Sequence, residues 1–390
     1  MSIKNDKRFN TVLQRIPPSG IRKFFDLVIG AEDIISLGVG EPDFVTPWHI
    51  REEAFYSLER GRTTYTSNWG LLSLRLLIAE YLEKRFKVKY NGQNEILVTV
   101  GASEAIDITL RAILNPGDEI IIPEPCFVSY VPLVELAGGK AVTIDTKKTN
   151  FVVTAKDIEK KITPSTKAIF LSYPSNPTGT VLKETEMKKI ANLVKKYKLW
   201  VLTDEIYAEL VYDGIKPKSF ASLPGMKPYT ILISGMSKAF AMTGWRIGYV
   251  AAPKDLMELL LKIHQYSIMC APVMAQYAAE EAFRNGLPEV EKMRKSYEHR
   301  KHFFVQSLNK IGLKTVVPEG AFYAFPSIKK TKLSSEDFAL KLLKEQKVAV
   351  VPGTAFGECG EGFIRCSYAT DYDLLKEALK RMEGFVKKYL

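Results

Sequence analysis

Apolar residues in this chain fall into short continuous runs, separated by longer stretches with a helical period. Glu95-Ile-Leu-Val-Thr-Val, Glu119-Ile-Ile-Ile-Pro, Ala168-Ile-Phe-Leu-Ser-Tyr, Trp200-Val-Leu-Thr-Asp and Thr230-Ile-Leu-Ile-Ser are such runs, and each stops at Gly, Pro or a polar residue. A strand with one wet face alternates apolar and polar residues, whereas unbroken apolarity marks a strand covered on both faces. The pattern predicts an α/β fold: a mainly parallel sheet flanked by helices. One flanking helix is Lys183-Glu-Thr-Glu-Met-Lys-Lys-Ile-Ala-Asn-Leu-Val-Lys-Lys, whose charges alternate as on a solvated face. In such sheets functional groups gather at the carboxyl ends of strands. Asp204 and Ser234 fall at such ends, and Gly101 follows another. From Pro288 onward the style changes to a helical stretch, strands near Gly320-Ala-Phe-Tyr-Ala-Phe and Val348-Ala-Val-Val, and a terminal amphipathic helix. That order predicts a smaller α+β domain.

A chain of 390 residues exceeds one ordinary compact domain, and a 46% hydrophobic share supplies a large core. No window approaches the ~18 consecutive apolar residues of a membrane span, and Met1-Ser-Ile-Lys-Asn-Asp-Lys lacks a hydrophobic signal region. A cytoplasmic protein without a membrane partner is expected. The net charge of +11 raises nucleic-acid binding. Against it, the lysines alternate with acids on helical faces and no basic block carries interleaved aromatics, so no nucleic-acid partner is expected. Cys126, Cys270, Cys359 and Cys366 are scattered, and neither they nor the four histidines have the spacing of a metal site or disulfide framework.

The stretch Ser234-Gly-Met-Ser-Lys-Ala-Phe-Ala-Met-Thr-Gly-Trp-Arg-Ile-Gly248 carries the most chemistry. Burial and neighbouring positive charge would deprotonate Lys238 and make it a nucleophile, and Arg246 is a permanent cation suited to a dianion. Thr99-Val-Gly-Ala-Ser-Glu joins a strand to a helix through Gly101, so that the N–H groups of Ala102 and Ser103 can face an anion, although read alone Ser103 is more simply a helix cap. Phe127 can stack on a flat ring or sit in the core. Tyr173-Pro-Ser-Asn176-Pro-Thr-Gly179 fixes the backbone around one amide side chain, with Asn176-Pro177 a candidate cis bond. Asp204 and Tyr207 stand three residues apart at a strand end. Arg365 interrupts an apolar strand, where a guanidinium needs either an internal carboxylate or one brought by a ligand.

Taken in order, these segments resemble the class I aminotransferases of pyridoxal-phosphate fold type I, from about Ile21 to the C-terminus. The resemblance implies pyridoxal 5'-phosphate held by Lys238 as an internal aldimine. It implies Asp204 on the pyridine nitrogen, Tyr207 and Asn176 on the ring oxygen, and Phe127 on the ring face. Ala102, Ser103, Ser237, Arg246 and Tyr65 would bind phosphate, Tyr65 reaching across from a partner subunit. Arg365, Asn176 and the Gly38 backbone would hold the substrate α-carboxylate. It further implies a homodimer, an N-terminal arm over residues 1–16, a large domain over 47–285, and a small domain built from 17–46 with 286–390. The expected activity is transfer of an amino group from an L-amino acid to a 2-oxoacid, by a ping-pong mechanism through pyridoxamine phosphate, with 2-oxoglutarate as acceptor and no metal.

Two departures bear on the detail. Gly235 stands where several relatives carry a phosphate-binding serine, leaving Ser234 or Ser237 for that task. No lysine follows Gly101, unlike aspartate-selective relatives of this branch, so the segment is closer to aromatic, alanine and acyl-diaminopimelate aminotransferases. Ile21, Tyr65, Phe127 and Phe322 are candidates for an apolar side-chain pocket. A fold-type-I lyase, such as a carbon-sulfur lyase, would use the same anchors without an oxoacid.

Overall fold

The five apolar runs form strands of one seven-stranded sheet. The computed structural model describes residues 8–18, 20 and 33–389, so Ile21 and the first seven residues of the expected arm lie outside the described residues. After a two-residue strand β1 (Ile35–Ser36), the sheet is built from β2 (Ile96–Thr99), β3 (Glu119–Glu124), β4 (Lys140–Asp145), β5 (Thr166–Ser172), β6 (Trp200–Asp204), β7 (Thr230–Gly235) and β8 (Gly248–Ala251). Their order is β2-β8-β7-β6-β5-β3-β4. Pairing is parallel except at β8, which runs antiparallel to both neighbours. The cause is local: Met236–Ile247 is spent on turns at the sheet's rim instead of a crossover helix, so the chain re-enters from the end it left. Two strands escaped the periodicity. β4 is an edge strand with polar ends and mostly half-buried positions, and β8 is only four residues long.

The helix Gly101–Ile113 opens without a side-chain cap from Val100, and Ser103 does not serve as one. Instead Glu104 Oε2 accepts the Val100 N–H at 2.6 Å, and Glu104 Oε1 meets His264 Nδ1 at 2.6 Å. This pair pins the strand-to-helix turn to the helix Lys254–Ser267.

The C-terminal part holds β9 (Tyr323–Ala324), β10 (Val348–Ala349), β11 (Val351–Pro352) and β12 (Ile364–Ser367). The apolar run at Val348 reads as one strand but divides between two sheets: β10 pairs with β1, while β11 joins β12 and β9. Helices Leu287–Lys310, Ser335–Gln346 and Tyr372–Tyr389 pack around them. Ile35 and Leu37 are buried with Tyr297, Phe304, Ile364 and Phe385, so the segment around β1 shares the C-terminal core. Among the described residues no helix is long and apolar enough to cross a membrane, and the four cysteines are free thiols.

Candidate active site

A cavity of about 580 Å³ opens at the carboxyl ends of β5, β6 and β7, bounded on its far side by β9 and β12. Lys238, three residues beyond β7, points into it and donates from Nζ to the Gly40 carbonyl at 2.6 Å. Burial pushes its amine down to about 8; Arg365 and Arg246 add to the depression, and Glu41 and Asp204 oppose it. The amine is therefore far more available as a nucleophile or base than a surface lysine.

Asp204 ends β6 in almost complete burial, 5% exposed, which raises its pKa. Three influences oppose the rise: the Tyr130 hydroxyl, donating to Oδ2 at 2.7 Å; the Ile206 N–H, donating to Oδ1 at 3.1 Å; and the charge of Lys238. Tyr207 shares a 2.7 Å hydrogen bond with the Tyr323 hydroxyl. Burial holds its phenol well above the usual range, so it stays a neutral donor.

Arg365 is 2% exposed and, among the described residues, has no carboxylate within ion-pair distance. Nη1 donates to Asn176 Oδ1 at 3.0 Å and Nη2 to the Gly38 carbonyl at 2.5 Å, while Nε is buried without a partner. The guanidinium lies over the rings of Tyr323 and Phe356, 4.5 and 4.9 Å from their centroids. An unpaired cation in such surroundings is costly unless an anion arrives. Among the described residues the guanidinium is thus left without an internal counter-charge. The Asn176–Pro177 bond is cis, as are Glu124–Pro125 and Tyr173–Pro174.

At the opposite end of the cavity Gly101 has φ +73°, and a Cβ on it would lie 2.7 Å from Arg246 Nη2. Ala102 and Ser103, the buried Ser237 and the exposed Arg246 line the same corner. Gly248 is packed so closely that a Cβ there would sit 2.6 Å from the Ala102 nitrogen. Helix N-terminus, hydroxyl and guanidinium make a cradle for a dianionic phosphate. With Lys238 and the buried Asp204 at the other positions, the residues fit pyridoxal phosphate: an amine for its aldehyde, a carboxylate for its ring nitrogen, and Phe127 beside the ring plane.

Other sequence candidates lie elsewhere. Tyr65 is 80% exposed and outside this cavity. Ser234 donates to the Glu205 carbonyl at 3.3 Å and does not line the cavity, whereas Ser237 does. Gly38 acts through its carbonyl on Arg365. Phe322 is not on the cavity wall, because it is fully buried edge-on behind Tyr207. Sequence reasoning overlooked Tyr130, Tyr323 and Glu41 as site residues. Their contacts join distant parts of the chain, which spacing does not reveal.

This fold and cavity define a pyridoxal-phosphate-dependent enzyme of the fold type I kind, with a lysine just beyond a strand end facing the cavity. The chain belongs to the class I and II aminotransferases: the family's sequence profile matches residues 32–382. The Bacillus subtilis protein YugH, named as an aminotransferase without a substrate, is 58% identical over 96% of this chain and 97% of its own. An aspartate aminotransferase of Pyrococcus abyssi is 47% identical over 96% of this chain and 97% of its own. The crystal structure of an aromatic aminotransferase from Pyrococcus horikoshii superposes with a TM-score of 0.90 at 44% identity, covering 94% of this chain and 99% of that one.

The cradle yields a first prediction. In Gly248→Ala the new methyl meets the backbone of Gly101 and Ala102, which cannot swing away as a side chain would. Pyridoxal phosphate affinity is expected to fall about tenfold or more, equal to about 1.4 kcal/mol, in a fluorescence titration of cofactor-free protein. Unchanged affinity would show that the Gly101 turn is not the phosphate seat.

Proposed function

We propose that the enzyme moves the amino group of an L-amino acid, aromatic or of broader range, to a 2-oxoacid, with 2-oxoglutarate as acceptor, in two half-reactions of a ping-pong cycle. The observation that supports this reading is the convergence of the depressed Lys238 amine, the buried Asp204 and the unpaired Arg365 on one cavity. Pyridoxal phosphate, when bound, supplies a carbonyl that takes up the amine and a ring that delocalises the electron pair left at Cα.

The chain's residues do the rest. Lys238 Nζ would remove the Cα proton and deliver it two bonds away, to the carbon that carried the cofactor's aldehyde, acting as base and then acid from a single position. Asp204 would keep a proton on the ring nitrogen, Tyr207 and Asn176 would bond the ring oxygen, and Phe127 would cover the ring face. Ala102, Ser103, Ser237 and Arg246 anchor the phosphate. Arg365, steadied by Asn176 and the Gly38 carbonyl, grips the α-carboxylate and aligns the Cα–H bond. In the same reading the molecule is a homodimer, and Tyr65 of the partner subunit completes the phosphate seat. Residues 47–285 form the large domain, and 17–46 with 286–390 form a small domain that closes on the substrate and excludes water. No lysine follows Gly101, which supports donors with uncharged side chains over a dedicated aspartate enzyme.

The test is an absorbance record of the reconstituted protein while single amino acids are added without oxoacid. The spectrum of bound pyridoxal phosphate is expected to give way to that of pyridoxamine phosphate and to return on adding 2-oxoglutarate. Aromatic donors are expected to act at least as fast as aspartate. Release of ammonia or a thiol with the original spectrum retained would instead mark a lyase.

A further inference from the structure

We infer that Tyr130 is a positioning residue for the reaction, its hydroxyl keeping the Asp204 carboxyl ionised and aimed at the cofactor's ring nitrogen. The inference rests on the preceding assignment of Asp204 to that nitrogen. Among the described residues Tyr130 is the one side chain hydrogen-bonded to Asp204, at 2.7 Å on Oδ2. The other contact is the backbone N–H of Ile206 on Oδ1 at 3.1 Å. A carboxyl this deeply buried tends to take up a proton, and a neutral acid could not hold a proton on a pyridine. Lys238 opposes that tendency by its charge, but its amine is the group the chemistry itself engages, so its charge cannot be constant through the cycle. The phenol is a constant donor.

Its direction is settled by its surroundings. Burial and the nearby Asp204 hold the Tyr130 phenol well above its ordinary range, so it is neutral and the carboxylate accepts. The other groups facing this pair are Lys238 and Tyr207 from the cavity, Glu205 from the neighbouring position on the chain, the Cys126 thiol, and Ser172, whose hydroxyl bears on the Tyr130 oxygen. The ring itself is locked. Tyr130 is 2% exposed, stacked on Phe170 at 4.1 Å between centroids, and set edge-on to Phe127 at 5.6 Å. Its N–H donates to the Phe127 carbonyl at 3.1 Å. One residue thus fixes both the carboxylate proposed for the ring nitrogen and the aromatic proposed for the ring face.

The experiment uses full-length protein reconstituted with pyridoxal phosphate labelled with 15N in the ring, followed by NMR from about pH 6 to about pH 10. In Tyr130→Phe the ring nitrogen is expected to lose its proton at a pH lower by about one unit or more, which is tenfold in the equilibrium. The cofactor dissociation constant should rise several-fold, and kcat should fall while donor KM stays within about twofold. Phe170→Leu, which loosens the packing behind Tyr130 but leaves the phenol, should not move the nitrogen titration. A Tyr130→Phe protein that binds cofactor and titrates like the parent overturns the inference. If Tyr130→Phe does not fold, 3-fluorotyrosine at position 130 preserves the packing and strengthens the donor. It should move the titration to higher pH, and no movement overturns the inference equally. Failure of the parent protein to take up the labelled cofactor would instead overturn the reading of Asp204 and of the site as a whole.

Discussion

Replacing Lys238 with alanine is expected to reduce transamination by more than about 10³-fold, within the range that general acid–base catalysis supplies, while circular dichroism and thermal cooperativity remain those of a folded protein. In the proposed chemistry the amine exchanges the Cα proton, and its neighbours Met236, Ala239 and Phe240 carry the local packing without it. Substantial residual transamination would remove the central claim. The same lysine makes a pH prediction whose sign can be worked out. Its folded pKa is about 8, below the ~10.4 of an unfolded chain, so between those values the unfolded state binds more protons. The cofactor-free protein therefore bears the full penalty of burying the charge below about pH 8, and sheds it as pH rises toward 10.4. Each unit of depression is worth about 1.4 kcal/mol as an upper bound, since the side chain keeps partial access to the cavity. Cofactor-free Lys238→Met should melt at a higher temperature than the parent at pH 7, with the gap closing toward pH 10. Calorimetry across that range checks it, and a gap that does not close would mean the gain comes from packing.

The strands were legible because burial on both faces leaves no room for polar residues, and β3, β5, β6 and β7 are apolar along most of their length. β4 was hidden because an edge strand needs little apolarity, and β8 because a four-residue strand generates no period. The site divides along similar lines. Lys238, Arg246 and the Gly101 turn are local, set by a few consecutive residues, so their motif can be read directly. The environment of Arg365 is not local. Among the described residues Arg365 is enclosed by Gly38, Asn176, Tyr323 and Phe356 and not by an acid, and the fold collects these from both ends of the chain and its middle. Ser237 and Ser234 could not be separated by type; the sheet sets them apart, because Ser234 still belongs to β7 and turns away to the Glu205 carbonyl, while Ser237 lies past the strand end and lines the cavity.

Arg365→Leu is expected to raise KM for every amino-acid donor and every oxoacid by a common factor. The group it binds is shared by all of them, and the side chain that differs is read elsewhere. Each charge-assisted hydrogen bond to a buried carboxylate is worth about 1.5–3 kcal/mol, so loss of a two-pronged grip corresponds to about 10²-fold to 10⁴-fold in kcat/KM. The structural change should be small. Leucine would leave the Asn176 amide oxygen and the Gly38 carbonyl without their donor, but it also removes a buried unpaired cation, and these effects oppose each other. Thermal stability is therefore expected to stay near that of the parent while affinity collapses. Arg365→Lys separates charge from geometry, because it keeps the cation and loses the planar fork that reaches Asn176 and Gly38 together. It should recover only part of the lost kcat/KM. Steady-state kinetics with one aromatic, one aliphatic and one acidic donor is the check. A loss confined to one donor would mean that Arg365 reads a side chain, and the α-carboxylate would then need another seat among the cavity's cations, with Arg246 the remaining guanidinium.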